Sequence, residues 1–211
     1  MKLLKEFIFS VAAGICIGIG GTAFLSIENK VIGALFFTVG LFVIVTNGYN
    51  LFTGKVCYIF DNPPKYTLLC ALIWAGNFAG TYLTGALVRL TRIADAVVPK
   101  AQGICQAKTS DGALSQFILA VFCNIMIYIA VDGYKNIEHQ AGKYLALFLG
   151  VAGFILCSFE HCIANMYYFS VAGLWDGRAF ACLGIMTFGN IIGGVVFPTI
   201  KKANKLIGNF H

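Results

Sequence analysis

The segment "SFEHCIANMYYFS" (158–170) sets a carboxylate, Glu160, beside an imidazole, His161, inside an apolar stretch. From Tyr144 to Trp175, Glu160 is the only Asp, Glu, Lys or Arg. Hydrocarbon penalises an ionisable group by roughly 2.5–3.5 kcal/mol on insertion scales, so such a pair at membrane depth points to function. An imidazole donates a hydrogen bond or, with an ordinary pKa near ~6.5, a proton. A hydroxyl, Thr53, stands in a second polar interruption, "NGYNLFTG" (47–54). Hydrolysis would need a nucleophile or a full metal set beside the pair, and no HExxH or GxSxG pattern occurs. The eight cysteines contain no CxxC, and Cys157-x3-His161-Cys162 lacks a fourth metal ligand. Scattered thiols of this kind read as small apolar residues, so no metal or cofactor is expected and the protein is not read as an enzyme.

The elements that carry these residues follow from composition. Of 211 residues, 59% are hydrophobic and only 11% charged, with a mean hydropathy of +0.82; soluble domains carry about 25% charged residues. Uncharged runs cover 7–27, 31–54, 66–88, 112–131 and 179–200, besides 144–175 with its single Glu160. Crossing ~30 Å of hydrocarbon takes about 20 helical residues, which each run supplies. The expectation is one all-α integral membrane domain, 1–211, with six transmembrane helices. The N-terminal "MKLLKEFIFSVAAGICIGIGG" has a longer apolar stretch than the roughly 7–15 residues of a signal core, and is retained as the first span.

The net charge of +6 reads as topology marking in short loops and in "KKANKLIGNFH", not as a nucleic-acid surface. Termini in the cytoplasm place Lys2, Lys5, Lys65, Lys135, Lys143, Lys201, Lys202 and Lys205 inside. Lys30, Arg89, Arg92, Lys100, Lys108 and Arg178 then lie outside, and Lys55 falls in a membrane break.

The spans divide at the hydrophilic connection 89–112 into halves of about 1–92 and 108–205. "WAGNFAGTY" (74–82) and "TFGNIIGGV" (187–195) share GN-x-x-G, and "NGYNLFTG" has a counterpart in "SFEHCIAN" (158–165). An odd number of spans per half makes the second half inverted, and inverted repeats with interrupted helices mark transporters and channels. Broken backbone persists at membrane depth only where protein or water satisfies its freed groups. Asn77 and Asn190 are expected to bond backbone across helix interfaces, and most of the 24 glycines to serve close helix packing.

Taken in order, "GYNLFTG", "GNFAGTYLTGALV", "FCNIMIYIAV", "FEHCIANMYY" and "GNIIGG" resemble the formate/nitrite transporter family over essentially the whole chain. The resemblance implies a homopentamer with a pore in each protomer, an aquaporin-like outline, and broken second and fifth helices. It implies passage of small monovalent weak-acid anions: formate, nitrite or hydrosulfide, and in some relatives acetate or lactate. By the same resemblance Leu51, Phe52 and Thr53 stand on the cytoplasmic side of the pore, and His161 is its histidine, flanked by Glu160 and Asn165. Asn124 matches the fourth-span asparagine, and Lys108, sixteen residues earlier (124 − 108), matches the lysine of the outer approach. Constrictions fall on Phe37 and Phe154 outside and on Leu41, Ile127, Leu51 and Phe52 inside, with Asn124 and Asn165 joining His161, Thr53 and Lys108 in the substrate pore. Departures accompany the match. The chain begins almost at the first span, so the longer segment tied to pH-dependent closure in formate channels is not expected, nor is such gating. "GLWDGRAFA" (173–181) is a short connection, and Cys162 stands where serine is common.

A bare anion loses far more than its neutral acid on entering an apolar constriction. Lys108 is therefore expected to draw anions in, with His161 and Thr53 binding them between two apolar rings for passage as anion or momentarily neutral acid. Glu160, which would repel the substrate, is expected to turn away and accept hydrogen bonds from backbone N–H groups freed at the break. The expected function is passive or proton-linked passage of formate, with nitrite or hydrosulfide as alternatives and a neutral-solute channel as a remote one.

Overall fold

A computed structural model describes the backbone of residues 1–208 and the side chains of residues 1–204. The Lys205 side chain and residues 209–211 lie outside what it describes. The described residues are helical, without strands: α1 (Lys2–Ser26), α2 (Lys30–Asn47), α3 (Phe52–Lys55), α4 (Lys65–Val88), α5 (Ala94–Ser110), α6 (Ala113–Asn136), α7 (Gln140–Leu156), α8 (Cys162–Ala172) and α9 (Gly177–Gly208). A 3₁₀ segment, Val56–Asp61, extends α3. Five of these, α1, α2, α4, α6 and α9, are long and apolar enough to cross a membrane. The sixth apolar run is divided, with α7 and α8 on either side of residues 157–161.

Local chemistry sets the ends. The Asn29 side chain caps α2 by accepting from the Val31 and Ile32 amides at 3.0 and 3.1 Å. Gly48, at φ +70°, closes α2 in the left-handed conformation that favours glycine. The hydrophilic connection 89–112 is not an extended loop. Most of it is α5, whose Val97, Ala101 and Cys105 recur every fourth residue to form one buried face packed on α8.

The two halves repeat their local bonding, at an offset of 110 residues around the breaks. Gly48 and Ser158, 110 residues apart (158 − 48), are both left-handed, at φ +70° and +56°. The Tyr49 amide donates to Ile44 and the Phe159 amide to Phe154, both at 2.9 Å. The Asn50 amide donates to Phe9 and the Glu160 amide to Leu119, both at 3.3 Å. Between α1 and α4, a Cβ on Gly80 would meet the Val11 carbonyl oxygen at 2.2 Å; between α6 and α9, one on Gly193 would meet that of Val121 at 2.1 Å. Backbones this close exclude any side chain at either site.

Candidate functional site

Each break leaves helix-end N–H and C=O groups that need partners, and a buried asparagine supplies them. The Asn77 Oδ1 accepts from the Phe52 amide at 2.9 Å, while its Nδ2 donates to the carbonyls of Ser10 (2.7 Å) and Asn50 (2.8 Å). The Asn190 Oδ1 accepts from the Cys162 amide at 2.8 Å, and its Nδ2 donates to the carbonyls of Ala120 (2.7 Å) and Glu160 (2.8 Å). These are the cross-helix backbone bonds expected of both residues. They also correct the expectation for Glu160, whose carboxylate takes none of the freed amides. A carboxamide both donates and accepts, so one side chain satisfies both kinds of freed group; an ionised carboxylate only accepts.

Glu160 is instead a bridging anion. Its Oε2 accepts from the Lys108 ammonium and from Asn165 Nδ2, the latter at 2.7 Å. Lys108 comes from the last turn of α5 and is mostly buried, with 11% side-chain exposure. The pair thus ties α5 to the second break and to α8. It borders an open pocket with Asp111, Leu119 and Ser158. Asn165 Nδ2 also contacts Met186 Sδ at 2.9 Å.

Thr53 and His161 meet across the two breaks, Thr53 Oγ1 lying 3.0 Å from His161 Nε2, both fully buried. His161 is also the N-cap of α8, its Nδ1 accepting the Ala164 amide at 3.0 Å. A nitrogen that accepts carries no hydrogen, so the neutral ring bears its hydrogen on Nε2, facing Thr53. Phe154 stacks on the imidazole with centroids 5.3 Å apart and planes 18° from parallel, and Phe37 meets Phe154 edge-on at 5.9 Å. One donor pair is therefore walled on one side by aromatic carbon.

Leu41 and Leu51 line a separate cavity of about 140 Å³ with Ile44, Val131, Lys55 and Lys135. Ile127, buried, lies one turn before Val131 on α6. Phe52 is not with them; it lines an apolar pocket with Val56, Trp74 and Ile191. Asn124 is buried between α6 and α9, its Nδ2 donating to the Asn190 carbonyl at 2.6 Å, and neither it nor Asn165 bonds the Thr53–His161 pair. Sequence reasoning missed that Lys55 and Lys135 share a cavity. The signal was slight: Lys55 follows Thr53 by two residues, where an apolar run ends.

A family model described as formate/nitrite transporter matches residues 1–202. Formate-nitrite transporter 2 of Toxoplasma gondii is 33% identical over 192 residues, covering 79% of this chain and 39% of that protein. The chain therefore spans about two fifths of that relative's length. The nitrite transporter NirC of Escherichia coli (strain K12) is 26% identical, covering 98% of this chain and 87% of its own. The formate channel FocA of Haemophilus influenzae is 22% identical, covering 90% and 83%. Among solved structures, a pentameric formate channel with formate bound superposes with a TM-score of 0.81 at 24% identity, covering 98% of both chains. An ion channel of the same family superposes with a TM-score of 0.79 at 23% identity, covering 92% of this chain and 87% of that one.

Proposed function

Because the chain belongs to the formate/nitrite transporter family, an integral membrane family, we propose that it passes small monovalent weak-acid anions, formate first, through a pore in each protomer of a homopentamer. The observation that carries the proposal is the buried Thr53–His161 pair at 3.0 Å, with Phe37 and Phe154 on one side. The fold match to a structure titled as a pentameric formate channel with formate bound supports it.

In the proposed path His161 Nε2–H and the Thr53 hydroxyl are the donors that replace water around the anion. Nδ1 keeps the ring in this tautomer through its bond to the Ala164 amide. An imidazolium has no acceptor and would forfeit that bond, so His161 acts here as a hydrogen-bond donor, and the anion is neutralised by a proton from hydronium in the entering water, which is left as water. Phe37 and Phe154 form one narrowing, and Leu41, Leu51 and Ile127 the other. Apolar walls favour the neutral acid over the anion by several kcal/mol, roughly the cost of burying an uncompensated polar or charged group. Lys108 draws the anion in: an ammonium has three N–H donors, and Glu160 engages one of them. Asn124, Asn165 and Phe52 support the path from behind.

The 110-residue recurrence of φ angles and hydrogen bonds supports two inverted repeats with six membrane crossings in an aquaporin-like outline, α2–α3 and α7–α8 each making one interrupted crossing. Exposed apolar side chains such as Leu35, Phe36, Leu149 and Phe188 suit lipid and neighbouring protomers. Both termini lie in the cytoplasm, with the protein in the cell membrane. Nitrite is the second reading, favoured by the match to NirC along 98% of the chain; hydrosulfide is the third.

The test is radiolabelled formate uptake into proteoliposomes, with nitrite and hydrosulfide as competitors and glycerol flux alongside. Saturable formate entry displaced by the other anions, with no glycerol entry, supports the proposal. Hydrosulfide or nitrite entry without formate entry overturns the choice of substrate, and glycerol entry alone overturns the anion pore.

A further inference from the structure

The two ends of the proposed path differ in charge, and the difference lies in residues that the function above does not use. In the two pockets of the Lys108 face the lysines are matched. Lys108 is paired with Glu160 in a pocket that also holds Asp111, and Lys30 and Lys100 line theirs with Glu28. Three lysines therefore face three carboxylates. The Lys30 ammonium is further committed to the Leu156 carbonyl at 3.1 Å and Ser158 Oγ at 3.3 Å.

On the opposite face the cavity floored by Leu41 and Leu51 is lined by Lys55 and Lys135 and by no carboxylate. Among the described residues neither ammonium has a hydrogen-bonded or ion-paired partner. Lys135 Nζ rests on the Tyr58 ring, 4.3 Å from its centroid, a cation–π contact that fixes the charge while leaving its N–H groups open. The Lys55 backbone is held by Tyr66, whose hydroxyl donates to its carbonyl at 3.1 Å. Asp132, the nearest acid on α6, is occupied elsewhere, accepting from Lys201 at 2.6 Å and Asn136 at 2.9 Å. The cavity of about 140 Å³ holds an anion of three heavy atoms together with a few waters at about 30 Å³ each.

The geometry points to a second anion-binding site, at the Lys55 mouth, where Lys55 and Lys135 hold a small monovalent weak-acid anion before the Leu41–Leu51 narrowing. The inference rests on the anion-pore reading. It makes the pore asymmetric in affinity. Unpaired like charges beside low-dielectric walls concentrate anions locally, so half-saturation is reached at lower concentration from the Lys55 face than from the Lys108 face.

The experiment uses the full chain in phosphatidylcholine vesicles, so that no anionic headgroup competes, sorted by orientation through a C-terminal affinity tag. Initial formate fluxes give half-saturation from each face for the wild type, for Lys55→Gln/Lys135→Gln, and for Lys55→Arg/Lys135→Arg. In the wild type the Lys55 face is expected to saturate at the lower concentration. The glutamine pair is expected to raise that value roughly fivefold and move the ratio between faces toward one, as loss of a focusing field does, while the arginine pair keeps the asymmetry. A ratio unchanged by the glutamine pair, or lost equally in the arginine pair, overturns the site. Absence of formate, nitrite and hydrosulfide flux from either face in the wild type would instead overturn the anion-pore reading itself.

Discussion

Both ring nitrogens of His161 are in use, one capping α8 and one facing Thr53, and this double duty ties local folding to the proposed anion path. Replacing Thr53 by Val keeps its approximate size but removes the hydroxyl and leaves the buried His161 Nε2–H without that partner, so we expect formate flux to fall at least tenfold with a loss of about 1–3 kcal/mol in stability. Flux within twofold of wild type would show that the hydroxyl does not touch the anion. Lys108 and Glu160 must be read together. Lys108→Ala strands a carboxylate of low exposure, at a cost of about 3–5 kcal/mol where a buried pair is broken, and leaves an anion beside an anion route. We expect weak uptake at neutral pH from Lys108→Ala and partial recovery in Lys108→Ala/Glu160→Gln; unchanged uptake in the single variant would remove Lys108 from the capture step. The singularity of Glu160 and His161 in an apolar run was legible in the sequence, since a lone acid there is costly. The partner of Glu160 was not, because Lys108 lies 52 residues away (160 − 108) on a mostly polar segment whose apolar signal is the spacing of three residues, Val97, Ala101 and Cys105. Its bond to Lys108 depends on α5 folding back onto α8.

At the scale of elements, the breaks hold because Asn77 and Asn190 each satisfy one amide and two carbonyls at once. Each group left unsatisfied in the interior costs about 1–3 kcal/mol. Asn77→Leu and Asn190→Leu are therefore each expected to lower the melting temperature in detergent by many degrees, and by similar amounts because the two clamps are alike. A melting temperature within a degree or two of wild type would mean that water replaces the amide. The breaks and the shared GN motif were readable from polar residues interrupting apolar runs. The helicity of residues 94–110 was hidden: their polarity and Pro99 argue for a loop, and only the fourth-residue spacing of Val97, Ala101 and Cys105 signals a helix packed on its neighbour.

At the scale of the whole molecule, membrane character came from composition, since long uncharged runs serve almost no other purpose. The pairing of Thr53 with His161 was legible only through the family resemblance, because 108 residues (161 − 53) separate them and periodicity says nothing about that distance; the structure adds their 3.0 Å contact. If it assembles as the proposed homopentamer, the 22.8 kDa chain is expected to give a native mass of five protomers in detergent, about 114 kDa (5 × 22.8); a monomeric mass would sever assembly from the fold match. The most direct test of an anion path between the two breaks is formate flux into proteoliposomes at pH 5, 6, 7 and 8, for the wild type and His161→Ala. Flux that climbs as pH falls in the wild type and vanishes in His161→Ala is the expected result, since more neutral acid then forms beside an intact donor. Undiminished flux in His161→Ala at every pH would contradict it, because the anion would then cross without the imidazole at the centre of the path.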